Sequence, residues 1–515
     1  MDEHSEAVSR PGRIVLLSSV FLVAASGLVY QLVAGAVASY LMGDAVTQFS
    51  LVIGVFLSAM GLGSYLAQFV TKNLFRTFVL LEVWIGLIGG CSSPGMFAVS
   101  ALAPPLFPPF FYTLCATLGI LIGVEIPLLV RILKETGSVS RALSHVLALD
   151  YVGALAGALL FPLVVLPLVG LSRASGIFGL MNLAVAYAGY VMVRPPKRGL
   201  WLGLVVSCVV LVAVFAWSAK LVGFFEDLLY QDAVIYADST RYQRVVLTRW
   251  RGDVRLYLNG HIQFSSVDEA RYHEPLVIPA MEAHPRPRTV LVLGGGDGMA
   301  AREVLKYDTV EHVVLVDLDP VITEMATERP EMVELNRGSL RSPRVEVVNT
   351  DAMRYLESSR DFFDVILADL PDPSGPALAK LYSTSFYALV EKRLSHRGVF
   401  ATHATSPFYA PRAYWCVVKT VAAAIRPEIP GLVPLPYHVN VPSFGEWGFL
   451  LAARHEIDPM SLEPRVSTRF LNTGTLQSLF VFPEDMQPPE DIKVNRLEDP
   501  VLPQYYRQGW NRFNQ

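Results

Sequence analysis

Long uncharged stretches fill the first 222 residues of the chain and vanish after them. No charged residue occurs between Arg13 and Asp44, Asp44 and Lys72, Glu82 and Glu125, or Arg198 and Lys220, and only Arg173 interrupts the run from Asp150 to Arg194. A helix needs about 20 mostly apolar residues to cross a hydrocarbon core. The pattern therefore predicts seven membrane-spanning helices, at 14–42, 46–70, 77–102, 107–132, 146–170, 173–193 and 199–222. The pairs Pro104-Pro105 and Pro108-Pro109 separate the third from the fourth. The first run is longer than a signal-peptide core and is followed by more spans, which makes it a retained helix.

Beyond residue 222 charges recur every few positions and apolar runs shrink to strand length. Val234 to Phe264 alternates short β-rich runs with the turn signals Arg251-Gly252-Asp253 and Asn259-Gly260, the mark of hairpins. From Arg288 strands and helices alternate: Thr289–Leu293 then a helix from Met299, His312–Val316 then one from Pro320, and Val345–Val348 then Met353–Ser358. Phe363–Ala368 then Ser383–Arg393 and Gly398–Ala401 then Ala413–Ile425 complete the series. Such alternation predicts a parallel, doubly wound sheet. The expected organisation is a polytopic α-helical membrane domain (1–222), a small antiparallel β-hairpin subdomain (223–287) and an α/β Rossmann-like, methyltransferase-type catalytic domain (288–455). A C-terminal tail (456–515), with one helix near Thr475–Phe480, is assigned no chemistry.

Composition agrees with a partly lipid-embedded chain: 52% hydrophobic and 17% charged residues. The net charge of −4 gives no footprint for nucleic acid. Cys91, Cys115, Cys208 and Cys416 are scattered and show neither metal-ligand spacing nor a disulfide framework, so no metal is expected.

The chemistry concentrates at Val290 to Gly298, a strand entering the turn Gly294-Gly295-Gly296-Asp297-Gly298 before a helix. Such a turn lets a nucleotide approach the backbone. Asp317, ending the next strand, stands where an acid commonly binds ribose hydroxyls, and Asp351 after the third strand is placed to meet an adenine amino group. Asp297 narrows the ligand. It would lie beside the non-adenosine end, where the carboxylate of S-adenosylmethionine would be repelled and the lone ammonium of decarboxylated S-adenosylmethionine attracted. Asp369 and Asp372, in Asp369-Leu370-Pro371-Asp372-Pro373, follow a strand on the ligand edge of the sheet. Two acids there suit a polyamine, whose amines are protonated near neutral pH, and one must help remove a proton before attack. Asp372 reads equally as a turn cap before proline.

Arg241-Tyr242-Gln243, the hairpin Leu258-Asn259-Gly260-His261-Ile262-Gln263, the stretch Asp268 to Glu274, the glycine loop and the Asp369–Pro373 motif occur in the order seen in spermidine synthases. Residues 230–455 thus resemble the polyamine aminopropyltransferase family, and the apolar half, Phe444 to Phe449 and Val494-Asn495-Arg496-Leu497 resemble its multipass bacterial branch. The resemblance implies transfer of an aminopropyl group from decarboxylated S-adenosylmethionine to putrescine or a related polyamine, giving spermidine and 5′-methylthioadenosine. It implies that Gln243, Gly294, Gly296, Asp297, Asp317, Asp351 and Ala352 hold the co-substrate. Asp369 accepts the proton, Tyr272 orients the amine, and Gln263, His273, Asp297 and Asp372 line the acceptor site. From the residues alone, Tyr272 beside His273 also fits core packing. Val441 stands before Pro442-Ser443 where soluble members usually carry tyrosine, and Leu370 and Pro371 replace small polar residues, so the acceptor is less defined than the donor.

Two other functions fit parts of the pattern: an S-adenosylmethionine methyltransferase on the same sheet, and a membrane polyamine sensor or transporter with a ligand-binding soluble domain. Glu125 and Asp150, acids within predicted spans, are candidate polyamine contacts in the apolar half; Asp150 reads equally as reaching interfacial water. The expected partners are a polyamine and the lipid bilayer, with a homodimer an open assembly. The location is the cell membrane, multi-pass. Arg10, Arg13, Lys72, Arg76, Arg131, Lys134, Arg141, Arg194, Lys197 and Arg198 fall on one side of seven spans, which puts the catalytic domain outside. The supply of the co-substrate puts it in the cytoplasm, the side this reading favours.

Overall fold

The computed structural model describes residues 10–42, 45–134, 139–192, 198–230, 232–240, 242–424 and 431–512. Asp44, Arg194, Lys197, Arg241 and Ile425 lie outside them. The chain forms two compact units, Met1–Arg244 and Val245–Gln515.

The first unit is helical: α1 (Arg10–Met42), α2 (Ala45–Leu66), α3 (Leu74–Gly90), α4 (Ser92–Leu102), α5 (Phe107–Lys134), α6 (Val139–Leu160), α7 (Leu166–Met192) and α8 (Arg198–Tyr230). It ends in the short strand β1 (Ala233–Ser239). Among the described residues, five helical segments are long and apolar enough to cross a membrane, and the pair α3–α4, bent by 46°, makes a sixth. One of the five, Ser140–Met192, is 53 residues long. At 1.5 Å per residue it would reach about 80 Å, far more than the roughly 30 Å of a hydrocarbon core. It is interrupted at Gly170, whose φ of 75° and ψ of 173° are not helical, so it comprises two helices. Expected and observed elements also differ elsewhere. The stretch at 77–102 is the bent pair rather than one helix, and α8 runs on to Tyr230, past the boundary expected at 222.

Polar backbone inside such a bundle must be satisfied locally. Pro127 within α5 cannot donate to the carbonyl of Gly123, and the Ser64 hydroxyl donates to it instead at 2.9 Å. Gly123 also brings α5 against the backbone of α2, since a Cβ there would stand 2.2 Å from the Met60 carbonyl oxygen.

The second unit opens with an antiparallel meander of β2 (Arg244–Trp250), β3 (Asp253–Leu258) and β4 (His261–Ser265). Helix α9 (Ala270–Ala283) follows, inside the segment expected to be β-hairpins. Five parallel strands, β5 (Thr289–Gly294), β6 (His312–Asp317), β7 (Val345–Asn349), β8 (Phe363–Asp369) and β9 (Leu394–His403), stand in the order β9-β8-β5-β6-β7. The last two strands, β10 (Val433–Val441) and β11 (Gly445–Ala453), extend the sheet antiparallel beside β9. This corrects the expected all-parallel sheet to a mixed one of seven strands.

Helices α10 (Met299–Val304), α11 (Pro320–Glu328), α12 (Pro330–Asn336), α13 (Ala352–Ser358), α14 (Pro376–Ala379), α15 (Thr384–Arg393) and α16 (Pro411–Ala423) complete the α/β alternation. Continuous apolar strands mean burial on both faces. Val290 and Val292 of β5 pack in one layer with α9 and α10, and Leu291 and Leu293 in the other with α13, α15 and α16.

The tail is structured as well. It carries α17 (Thr473–Ser478) and α18 (Leu502–Trp510), and the buried Glu274 of α9 accepts the backbone amides of Arg469, Phe470 and Leu471 at 2.6, 2.9 and 2.9 Å.

Candidate active site

Parallel pairing puts Gly294 opposite Asp369 at the carboxyl ends of β5 and β8. The loop after β5 leans on that end: the Gly295 amide donates to the Asp369 carbonyl at 3.1 Å. Gly294 has φ 81°, and a Cβ there would stand 1.9 Å from the same carbonyl oxygen, so only glycine fits. The loop then bends over β6, where Gly296 donates its amide to Asp317 Oδ2 at 3.0 Å. Asp317 Oδ1 takes the Asp319 amide at 2.9 Å. Burial lifts the Asp317 carboxyl to about 6 despite these two amides. Asp297 turns back to accept the Met299 amide at 2.8 Å, fixing its carboxylate at the start of α10.

Helix α9 supplies the opposite wall. Its Tyr272 hydroxyl donates to Asp369 Oδ1 at 2.7 Å. The helix is held by a buried ionic network in which Arg302 grips Glu269 with two hydrogen bonds of 3.1 and 2.8 Å. His273 Nδ1 lies 3.0 Å from both the Glu269 carbonyl and Oε2. Two acceptors before one ring nitrogen place the proton on Nδ1. Burial depresses the His273 pKa even though Asp297 and Asp369 are close enough to pull it up, which favours the neutral ring.

Asp369 and Asp297 are both raised above the ordinary carboxylate range, by burial first. His273 pulls both down; the Tyr272 hydrogen bond also lowers Asp369, whereas Asp369 raises Asp297. Asp372 is raised by burial, against the opposing pull of His403 and Tyr506. The structure thus gathers Asp297, Asp369, Tyr272 and His273 around one point, with Asp372 adjoining.

The remaining predicted residues make other contacts. Asp351 caps α13 through the Arg354 amide at 3.1 Å and pairs with Lys380 at 2.6 Å. Burial would raise its carboxyl, but Lys380 and the helix amides hold it below the usual range. Ala352 is the buried first residue of α13. Gln263, on β4, donates its side-chain amide to the His261 carbonyl at 3.1 Å, along its own strand. Gln243 belongs to the first unit, in a tight turn where its amide donates to Thr240 Oγ1 at 3.1 Å.

Sequence reading missed several residues beside the acids. His403, the last residue of β9, is buried, stacks on Trp447, and lies beside Tyr382, whose hydroxyl is 3.1 Å from His403 Nε2. His403 Nε2 also meets the Leu370 carbonyl, which fixes that nitrogen as the protonated one. Its Nδ1 and Asp372 Oδ1 face each other at 3.7 Å, and neither has a hydrogen-bond partner. Tyr506 of α18 donates to Asp372 Oδ2 at 3.0 Å, giving the tail a place at the site. The rings of Phe444, Phe449 and His403 surround Tyr272 at centroid distances of 5.9, 5.4 and 6.1 Å. Val441 is fully buried, and the adjoining turn is tied down where Asp268 accepts the Ser443 amide and hydroxyl at 2.7 and 3.0 Å. His403 could have been found by asking which polar residue ends the strand next to β8. Tyr506 carries no local signal.

A family model described as the spermine/spermidine synthase domain matches residues 269–458. A polyamine aminopropyltransferase from Leptospira interrogans is 44% identical over 97% of this chain and 99% of its own length. Polyamine aminopropyltransferase 1 of Ralstonia nicotianae is 45% identical over 99% and 98%. Among solved structures, a spermidine synthase in complex with the transition state analogue AdoDATO is similar with 27% identity and a TM-score of 0.44, covering 48% of this chain and 85% of that one. Near-full-length identity at this level, together with the domain match, shows that the chain belongs to the polyamine aminopropyltransferase family.

Proposed function

We propose that the cluster of Asp297, Asp369 and Tyr272 is the site of aminopropyl transfer from decarboxylated S-adenosylmethionine to putrescine. The enzyme is a polyamine aminopropyltransferase, and its reaction forms spermidine and 5′-methylthioadenosine. The observation that carries the site assignment is two carboxylates converging from the ends of adjacent parallel strands, one of them oriented by a buried tyrosine.

In this reading the glycine loop and Asp317 receive the adenosine, and Asp297 faces the ammonium of the aminopropyl arm. The acceptor enters as an ammonium and must lose a proton before its lone pair can attack. Asp369, raised toward the working pH by burial, accepts that proton, and Tyr272 holds the carboxylate in line. The new C–N bond forms as the C–S bond breaks, and the sulfonium leaves as a neutral thioether. Placement of charge and orientation supply most of the acceleration. The aromatic wall of Phe444, Phe449 and Trp447 suits the methylene chain of a diamine, with Asp372 toward its far end. Neutral His273 has Nε2 as its acceptor nitrogen, adding to the local preference for cations.

The helical half is read as a multi-pass membrane domain, on the strength of its six long apolar segments, counting the bent pair as one. With Ser140–Met192 counted as two crossings and the bent pair as one, there are seven, which put the two ends of the helical half on opposite sides. The cation pattern then points to a catalytic half outside, and the supply of co-substrate to one in the cytoplasm, which is the side proposed here. A reporter fused to the C-terminus gives an active cytoplasmic signal if so, and an extracytoplasmic one if not.

The reaction is tested with purified full-length protein, decarboxylated and intact S-adenosylmethionine, and a panel of amines, following methylthioadenosine and product mass. Spermidine from putrescine with the decarboxylated donor alone is the expected result. Methyl transfer from the intact donor would refute the site assignment.

A further inference from the structure

We propose that the helical half holds a binding site for a protonated amine between Glu82 of α3 and Glu125 of α5. Both acids are fully inside the bundle, 0% and 1% exposed, and apart from their contact with each other none of their four carboxylate oxygens has a hydrogen-bond partner. Among the described residues neither acid forms an ion pair with a lysine, arginine or histidine. The two carboxylates interact directly, and Asp150 of α6 lies within electrostatic range of Glu125.

Two groups that are not acids point to the same place. The hydroxyl of Tyr30 on α1 and both amide atoms of Asn182 on α7 are fully buried and unpartnered. Their positions follow from α3, where Glu82, Gly86 and Gly89, at spacings of four and seven, share one face. A Cβ at Gly89 would stand 2.4 Å from Tyr30 Cζ, and one at Gly86 would stand 3.3 Å from Asn182 Cβ. The two missing side chains therefore seat the Tyr30 ring and Asn182 on the face that carries Glu82.

Apart from the contact between the two acids, seven polar atoms from four helices that meet on this face of α3 thus have no partner. In a bundle of this kind an unpaired carboxylate is costly and marks a functional site. An ammonium supplies what is missing: positive charge for the acids and three N–H donors for carboxylate, hydroxyl and amide oxygens. No group of three or more histidine, cysteine or acidic side chains arranged to hold a metal ion occurs among the described residues. The choice of an amine rests on the reaction proposed above, whose acceptor and product are the cations this chain handles.

The experiment uses the full chain in lipid nanodiscs and equilibrium dialysis of radiolabelled spermidine, comparing the parent protein with Glu82→Gln, Glu125→Gln and Tyr30→Phe. Glutamine removes the charge without emptying the core. Each glutamine variant is expected to lose one bound spermidine per chain, and Tyr30→Phe to weaken that site about tenfold, the scale of one hydrogen bond to a charged group. Methylthioadenosine release should stay within about twofold of the parent in all three. Unchanged spermidine stoichiometry in both glutamine variants, or unchanged affinity in Tyr30→Phe, would overturn the site and leave the acids as a pair sharing a proton. Turnover is read separately, so a parent protein that binds spermidine but releases no methylthioadenosine would count against the assigned reaction instead.

Discussion

Tyr272→Phe removes one atom from the site, the hydroxyl that donates to Asp369 Oδ1 at 2.7 Å. The ring stays, with its contacts to Phe444, Phe449 and His403. A hydrogen bond to a charged group is worth about 1.5–3 kcal/mol net. If it serves to hold Asp369 in line for proton transfer, most of that appears in the rate, a fall in kcat of roughly 10- to 150-fold at 1.4 kcal/mol per tenfold. The pH profile supplies a second, independent sign. Asp369 works as the carboxylate, so activity falls as pH drops through its pKa. Burial raises that pKa and the tyrosine lowers it, so losing the hydroxyl moves the acid limb to higher pH. The assay is methylthioadenosine release from decarboxylated S-adenosylmethionine with saturating putrescine across pH 5 to 9. An unchanged kcat, or an acid limb displaced to lower pH, would refute the reasoning.

Three further substitutions test other parts of the site. Gly296→Ala puts a Cβ 2.5 Å from Asp317 Oδ2, and co-substrate affinity measured by calorimetry should fall at least tenfold with little change in folding. His403→Ala removes the unpartnered Nδ1 beside Asp372; putrescine KM should rise about tenfold while the KM of the donor stays constant, and equal changes in both would place His403 in general packing. Glu274→Ala strips three backbone amides of their buried acceptor, and thermal unfolding should show a loss of about 3 kcal/mol or more, with residues 469–471 the first to gain hydrogen exchange.

The strands around the glycine loop were legible because each is buried on both faces and reads as an unbroken apolar run. The antiparallel end of the sheet was not. Strand β10 contains Pro434 and Pro436, which argue against a strand, yet it is the edge of the sheet, where the missing amides cost no ladder bond. Helix α9 was hidden by the same residue type. Pro279 cannot donate to the Pro275 carbonyl, and the Tyr437 hydroxyl from β10 does so instead at 2.8 Å, a compensation made 162 positions away. Of the site, Asp317 and Asp369 were visible because they end strands, and Asp297 because it sits inside the glycine turn. Tyr506 was not, because 134 residues separate it from Asp372. Nor did the sequence reading reach the unpartnered face of α3, since Glu82 entered it only as the start of the charge-free interval that ends at Glu125.

Asp369→Asn tests the central claim most directly. It preserves the shape of the side chain and its contact with Tyr272 but cannot accept the proton of the attacking amine. General-base catalysis contributes about 10²- to 10⁴-fold. Purified variant and parent, given decarboxylated S-adenosylmethionine and putrescine, should differ by at least that lower bound in spermidine and methylthioadenosine formed, while binding methylthioadenosine with similar affinity. Spermidine formation by the variant at the parental rate would contradict the account.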